Sequence, residues 1–294
     1  MITANTYALA IHGGAGPQPG RDYSEVEKHL EYLIHRGEDL LRSGRSAIDV
    51  VQEMVVDLER SGLYVAGRGT APNAAGWYEM DASIMDGARG KAGGVAAVRD
   101  LENPVMAARA VLEQSVHILL VGEGAEQFAM EAGCVKVTDE ESWYRLPVGV
   151  TREESTADAL AHGTVGAVAL DSGGRLAAAT STGGLFGRRA GRIGDSGIIG
   201  YGSWADAGVA VSCTGIGESF ILGGGAREVA SRMRHLDEGL EAAVGSMLKD
   251  VSRWNGDGGA IAIDYQGNIV CEFNSPGLKR AWVSHAKPAE VGIF

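Results

Sequence analysis

The chain has 294 residues, and its 38 Asp and Glu outnumber 26 Lys and Arg to give a formal charge of −12. That balance argues against nucleic acid or an anionic membrane surface as a partner, since both need basic patches. Cys134, Cys213 and Cys271 are too few and too scattered for a disulfide framework, and neither they nor the seven histidines show zinc-ligand spacing. With no basic leader and no apolar run near 18 residues, the expected location is the cytoplasm.

Tyr7 to Ile11 reads as a short buried strand that ends in the glycine-rich text His12-Gly13-Gly14-Ala15-Gly16. Apolar residues recur at helical spacing from Ser24 to Leu41 and again from Ala47 to Leu58. Glycine-rich text from Gly62 to Gly76 precedes two strands, Glu79 to Gly87 and Gly93 to Val98. Pro104 opens a helix reaching about Glu113, because proline suits a first helical turn. A strand at His117 to Val121 and a helix at Ala125 to Ala132 follow.

From about 135 to 163 the text is polar and aperiodic and reads as a mobile linker. Strands resume at Thr164–Leu170, Leu176–Ser181, Gly208–Thr214, Gly259–Ile263 and Asn268–Glu272, with helices at Ser219–Met233 and Gly239–Val251. Strands in both halves with helices between them predict an α+β fold of stacked sheets, one domain spanning residues 1–294.

The chemistry concentrates at His162-Gly163-Thr164-Val165. A mid-chain threonine hydroxyl is a poor nucleophile, since nothing beside it takes its proton. Scission of the Gly163-Thr164 bond would give Thr164 a free α-amine with a reference pKa of roughly 7.7–8.0, a base for its own hydroxyl. The turn Asp171-Ser172-Gly173-Gly174-Arg175 makes the flanking strands a hairpin. Folded without a bulge, it sets Thr182 directly across from Thr164; a G1 bulge would shift this by one residue. Met80 and Met85 read as core, and His12 and His162 as loop residues.

The segments Gly163-Thr164-Val165-Gly166-Ala167-Val168-Ala169-Leu170-Asp171, Ala179-Thr180-Ser181-Thr182-Gly183-Gly184, Gly191-Arg192-Ile193-Gly194-Asp195-Ser196 and Ser212-Cys213-Thr214-Gly215 with Gly217-Glu218 occur in order, joined by the His12–Gly16 and Asp81–Gly87 text. Together they resemble the plant-type asparaginase/isoaspartyl peptidase family of N-terminal-nucleophile hydrolases over nearly the whole chain. The resemblance implies a four-layer αββα sandwich and self-cleavage into segments 1–163 and 164–294. It implies association of two cleaved protomers and hydrolysis of small-molecule substrates, L-asparagine and β-aspartyl dipeptides. Thr164 would be the nucleophile and Thr182 its support. Arg192 and Asp195 would hold the substrate's α-carboxylate and α-amino group, and Thr214 and Gly215 would form the oxyanion hole. An aspartyl zwitterion suits one cation and one anion held apart, with arginine's fork matching the carboxylate.

Two departures stand out. Val65 occupies a position in Gly62-Leu63-Tyr64-Val65-Ala66-Gly67 where relatives often carry Asn, in a loop that binds structural sodium in them. Carbonyls of Gly62, Leu63, Tyr64, Val65 and Gly67 would be the donors of any such site, with no cofactor expected in catalysis. Phe220-Ile221-Leu222 replaces the more usual Phe-Ile-Arg, which affects the leaving-group side. The net negative charge points to a basic leaving residue such as Arg or Lys, as in β-Asp-Arg. The alternatives are a glycosylasparaginase-like amidase, disfavoured by Gly163 and Gly183, a cleavage-dead binding protein of the same fold, and a nucleotide-binding turn at Gly122-Glu123-Gly124.

Overall fold

The computed structural model describes residues 6–151 and 163–294. His162 and the later part of the expected linker lie outside them. Strands β1 (Ala8–Ala15), β2 (Met80–Asp86), β3 (Lys91–Val98), β4 (Leu119–Val121), β5 (Val165–Leu170), β6 (Leu176–Thr182), β11 (Leu278–Ser284) and β12 (Lys287–Gly292) form one sheet, in the order β12-β11-β1-β5-β6-β2-β3-β4. A second sheet runs β10 (Ile269–Phe273), β9 (Gly258–Asp264), β8 (Val209–Gly215), β7 (Ser203–Ala205). Every neighbouring pair is antiparallel except β3 with β4.

Three apolar clusters define four layers. Helices α1 (Ser24–Arg42), α2 (Ala47–Ser61) and α3 (Pro104–Gln114) bury Leu30, Val51 and Val111 against Leu9, Ile11, Ala167 and Ala179 of the large sheet. On its other face Ala8, Ala10, Val168 and Ala178 meet Ala210, Ile261 and Ile263 of the small sheet. The small sheet's outer face, with Val211, Cys213 and Ala262, is covered by α7 (Gly225–His235) and α8 (Leu240–Arg253). Neighbouring residues of β1 and β5 thus fall into different clusters, as a period of two requires. The result is the expected αββα sandwich. Alanine is the commonest residue between the sheets, at six of the thirteen buried positions of that cluster.

Strands from both sides of position 163 alternate in the large sheet: β1 is hydrogen-bonded between β11 and β5, and β2 pairs with β6. Several elements depart from the expected ones. Residues 135–151 are no loose linker. They carry α5 (Glu140–Trp143), the Tyr144 ring stacks on Tyr78 at 3.7 Å, and Val148 N–H donates to Leu63 O. These contacts are tertiary and leave no period to read. The helix expected over Ser219–Met233 is two, α6 (Gly217–Leu222) and α7, broken at Gly224 and Gly225. Both glycines have positive φ, and a Cβ on Gly225 would come within 2.6 Å of Tyr201 Cα. Gly122-Glu123-Gly124 starts the surface helix α4 (Gly122–Glu131) beside the three-residue edge strand β4. That edge position is not a point where the strand order reverses, which is where a dinucleotide turn sits.

Candidate active site

Val165 pairs with Ser181 and Leu170 with Leu176, so the β5–β6 hairpin carries no bulge and Thr164 stands opposite Thr182. Both threonines share the parity of Val168 and Ala178 and face the space between the sheets. Thr182 Oγ1 donates its single hydrogen to Gly163 O at 2.7 Å. It must therefore be an acceptor toward Thr164 Oγ1, at 3.3 Å, and toward Gly184 N–H, at 3.0 Å. One hydroxyl thus polarises the Gly163 carbonyl and holds the neighbouring threonine hydroxyl.

The walls around the Gly163-Thr164 bond are close-fitting. Gly14 has φ +97°, and a Cβ there would come within 3.0 Å of Thr164 N and O. On another side a Cβ on Gly163 would lie 2.8 Å from Val65 Cγ2, while Val65 O accepts from Gly183 N–H at 2.8 Å. Val65 therefore contributes an apolar wall and a main-chain anchor, with no side-chain hydrogen bond to offer.

A narrow cleft opens beside Thr164, lined also by Arg192, Asp195 and Gly215. Asp195 is buried, and its Oδ2 has no hydrogen-bond partner among the described residues. Burial raises its pKa to about 7, partly opposed by its own backbone N–H and by Arg192. An unpaired buried carboxylate is costly, and a bound ammonium group would relieve it. Arg192 is mostly buried and pairs with Glu218, Nε to Oε1 at 2.8 Å and Nη2 to Oε2 at 2.5 Å. Burial works against its charge, but the Glu218 pair outweighs it and raises the pKa overall.

Gly215 lines the cleft with φ +148°; Thr214 sits behind it, fully buried. Thr214 Oγ1 accepts from Ala15 N–H at 3.1 Å, so its own hydrogen is left to donate. The structure thus gathers Gly163, Thr164, Thr182, Arg192, Asp195 and Gly215 around one cleft, with Thr214 one layer back.

Beneath the threonine row lies a polar seam that sequence reasoning missed. His12, Gly166, Thr180 and Ser83 form the next same-face row of the large sheet. Ser83 Oγ donates to Ser196 O at 2.6 Å and so accepts from Ser203 Oγ at 2.7 Å. Thr180 Oγ1 donates to Gly202 O, Ser212 Oγ donates to Thr180, and His12 Nε2–H donates to Ser212 at 2.9 Å. Burial holds His12 neutral, with a pKa lowered to about 3. A Cβ on Gly166 would collide with both Ser212 and His12, so the glycine makes room for the seam. His12 is thus a structural tie between the sheets. A period-two count shows which residues share this face, but their partners lie on the other sheet.

The five carbonyls that the sequence offers to sodium all serve protein donors. Gly62 O accepts from Arg145 Nε, Leu63 O from Val148 N–H, and Tyr64 O from Ala66 N–H. Val65 O accepts from Gly183 N–H, and Gly67 O from both the N–H and the hydroxyl of Thr70. Among the described residues no group of three or more His, Cys, Asp or Glu could hold a metal, and no helix is long and apolar enough to cross a membrane.

Four layers with a glycine–threonine bond at the mouth of a central strand define the architecture of N-terminal-nucleophile hydrolases. A sequence profile described as asparaginase matches residues 5–293, and the chain belongs to that family. It is similar to the isoaspartyl peptidase of Escherichia coli K12, with 41% identity covering 97% of this chain and 95% of that protein. The isoaspartyl peptidase of Salmonella typhimurium LT2 is 40% identical, covering 99% of each chain. The isoaspartyl peptidase/L-asparaginase of Xenopus laevis is 37% identical, covering 97% of this chain and 94% of its own.

Proposed function

We propose that the chain is a self-cleaving threonine hydrolase that acts on β-aspartyl dipeptides and L-asparagine. The observation that carries this reading is the Thr182 hydroxyl, which bridges Gly163 O and Thr164 Oγ1. Attack of Thr164 Oγ on the Gly163 carbonyl carbon breaks the Gly163–Thr164 amide and forms an ester. Water hydrolyses the ester to a Gly163 carboxylate and a Thr164 carrying both hydroxyl and free amine. That amine then takes the hydroxyl proton as Thr164 attacks the substrate's β-carbonyl, and passes it to the leaving amine or ammonia. A second water releases L-aspartate from the β-aspartyl ester.

The other roles follow from charge and position. Arg192 takes the α-carboxylate and Asp195 the α-ammonium, which leaves the β-carbonyl to face Thr164. The Thr214 hydroxyl and the main chain at Gly215 serve the oxyanion, where losing one donor costs about 2.7–4 kcal/mol. Because strands from 1–163 and 164–294 alternate in the large sheet, the cleaved segments would stay together. Two cleaved protomers associating, and a cytoplasmic setting, complete the reading.

Assays of kcat/KM on β-Asp-Leu, β-Asp-Arg and L-asparagine test it. Hydrolysis of the dipeptides at least as good as of asparagine is expected, with β-Asp-Arg favoured by the acidic chain and by exposed Leu222. No release of aspartate from any of the three contradicts the proposal. A clear preference for β-Asp-Leu removes the basic-residue part alone.

A further inference from the structure

The Arg192–Glu218 pair uses only part of the arginine. A guanidinium carries five N–H donors, and Glu218 takes the Nε–H and one Nη2–H. The Nη1 pair and the second Nη2–H have no acceptor among the described residues. Nη1 passes over Gly194, where a Cβ would come within 3.0 Å of it. The free edge is itself a fork, and Arg192 lines the cleft with Asp195 and Thr164.

Glu218 is placed by backbone. It follows Gly217, whose absent side chain lets this turn pack on the substrate loop: a Cβ there would lie 2.9 Å from Asp195 N and Gly194 Cα. Two residues earlier the same segment supplies Gly215. The pair also lowers the Glu218 pKa, chiefly through its hydrogen bonds to Arg192, so the carboxylate stays charged at neutral pH.

We infer that Glu218 is a positioning residue, which grips the Nε–Nη2 edge of Arg192 and so presents the adjacent Nη1–Nη2 edge to the substrate's α-carboxylate. This rests on the α-carboxylate role proposed for Arg192. Recognition and oxyanion binding are thereby joined through one short segment, Gly215 to Glu218.

Two variants test it in the mature enzyme, Glu218→Ala and Glu218→Gln, with completeness of self-cleavage as the check on folding. For asparagine and β-Asp-Leu, KM should rise at least about tenfold while kcat stays within about twofold, short of the roughly 10²-fold that gross misplacement costs. Glu218→Gln should recover part of the loss, because its carbonyl oxygen still meets one N–H. Calorimetric titration of L-aspartate should weaken in parallel. A fall in KM would mean that Glu218 merely occupies the substrate's place, and would overturn the inference. So would wild-type KM in both variants, or a kcat loss at unchanged KM. If Glu218→Ala does not fold, Glu218→Gln alone decides. Wild-type protein that neither hydrolyses substrate nor binds L-aspartate would instead refute the role of Arg192 itself.

Discussion

The nucleophile and the substrate grip are built in different ways. Thr164 and Thr182 lie at the ends of paired central strands, and the ladder from Val165–Ser181 to Leu170–Leu176 fixes their separation. Arg192 and Asp195 sit on irregular backbone, held by contacts from elsewhere: Glu218 on the guanidinium and Ser83 on the adjacent Ser196 carbonyl. The contrast teaches that register sets the bond-making atoms, whereas a few buried polar contacts set which molecule reaches them. Changes to the hairpin should therefore stop chemistry, and changes around the loop should alter binding.

The largest effect is expected from Thr164→Ala, which should leave one full-length band on denaturing gels and lower hydrolysis by about 10⁴-fold or more. Thr182→Ala removes the hydrogen bond to Gly163 O, so self-cleavage followed by gel densitometry should slow by roughly 10²–10³-fold. Both effects belong to the hairpin; a Thr182→Ala chain that matures at the normal rate would break the comparison.

On the loop side, Asp195→Asn should raise KM for asparagine by tens of fold, on the order of a lost charge-assisted contact, with self-cleavage intact. The same residue makes a pH test. Burial lifts its folded pKa to about 7, so the native state holds this proton to higher pH than the unfolded chain. Its contribution is thus least unfavourable in acid, and stability falls as pH rises from about 4 toward about 7. Binding has the opposite sign, because an ammonium needs the ionised carboxylate. Competitive inhibition by L-aspartate should tighten from pH about 6 to about 8, and a flat profile would contradict the assignment.

Gly14→Ala is intermediate. Its strained φ and 3.0 Å contacts with Thr164 predict a cost of about 1–3 kcal/mol, seen as slower self-cleavage. Ser83→Ala should touch the chemistry least, with self-cleavage intact and a loss of about 1–3 kcal/mol in denaturant titrations because Ser196 O loses its donor.

The same contrast explains what could be read from sequence. The hairpin was legible because strand parity and a glycine turn are local, and counting across the turn gives the Thr164–Thr182 pairing. Helices α1, α2 and α8 were legible from their apolar stripes. The final strands were not: Lys279 and Arg280 in β11 interrupt its apolar text, and their heads lie over the Tyr23, Phe273 and Trp282 rings. Pro288 and Glu290 made β12, an edge strand, look like loop. Three-residue β7 is too short to show a pattern. Arg192 and Asp195 came from family resemblance. Glu218 was visible only as motif text, since its pairing with Arg192 across 26 positions leaves no local signal.

The central claim is that breaking one peptide bond turns an inert hydroxyl into a catalyst that carries its own base. Amino-terminal sequencing of the smaller fragment from active protein tests this most directly. Threonine is expected in the first cycle, followed by Val165-Gly166-Ala167. Full activity from an unbroken chain, or a fragment beginning at any other residue, would contradict it.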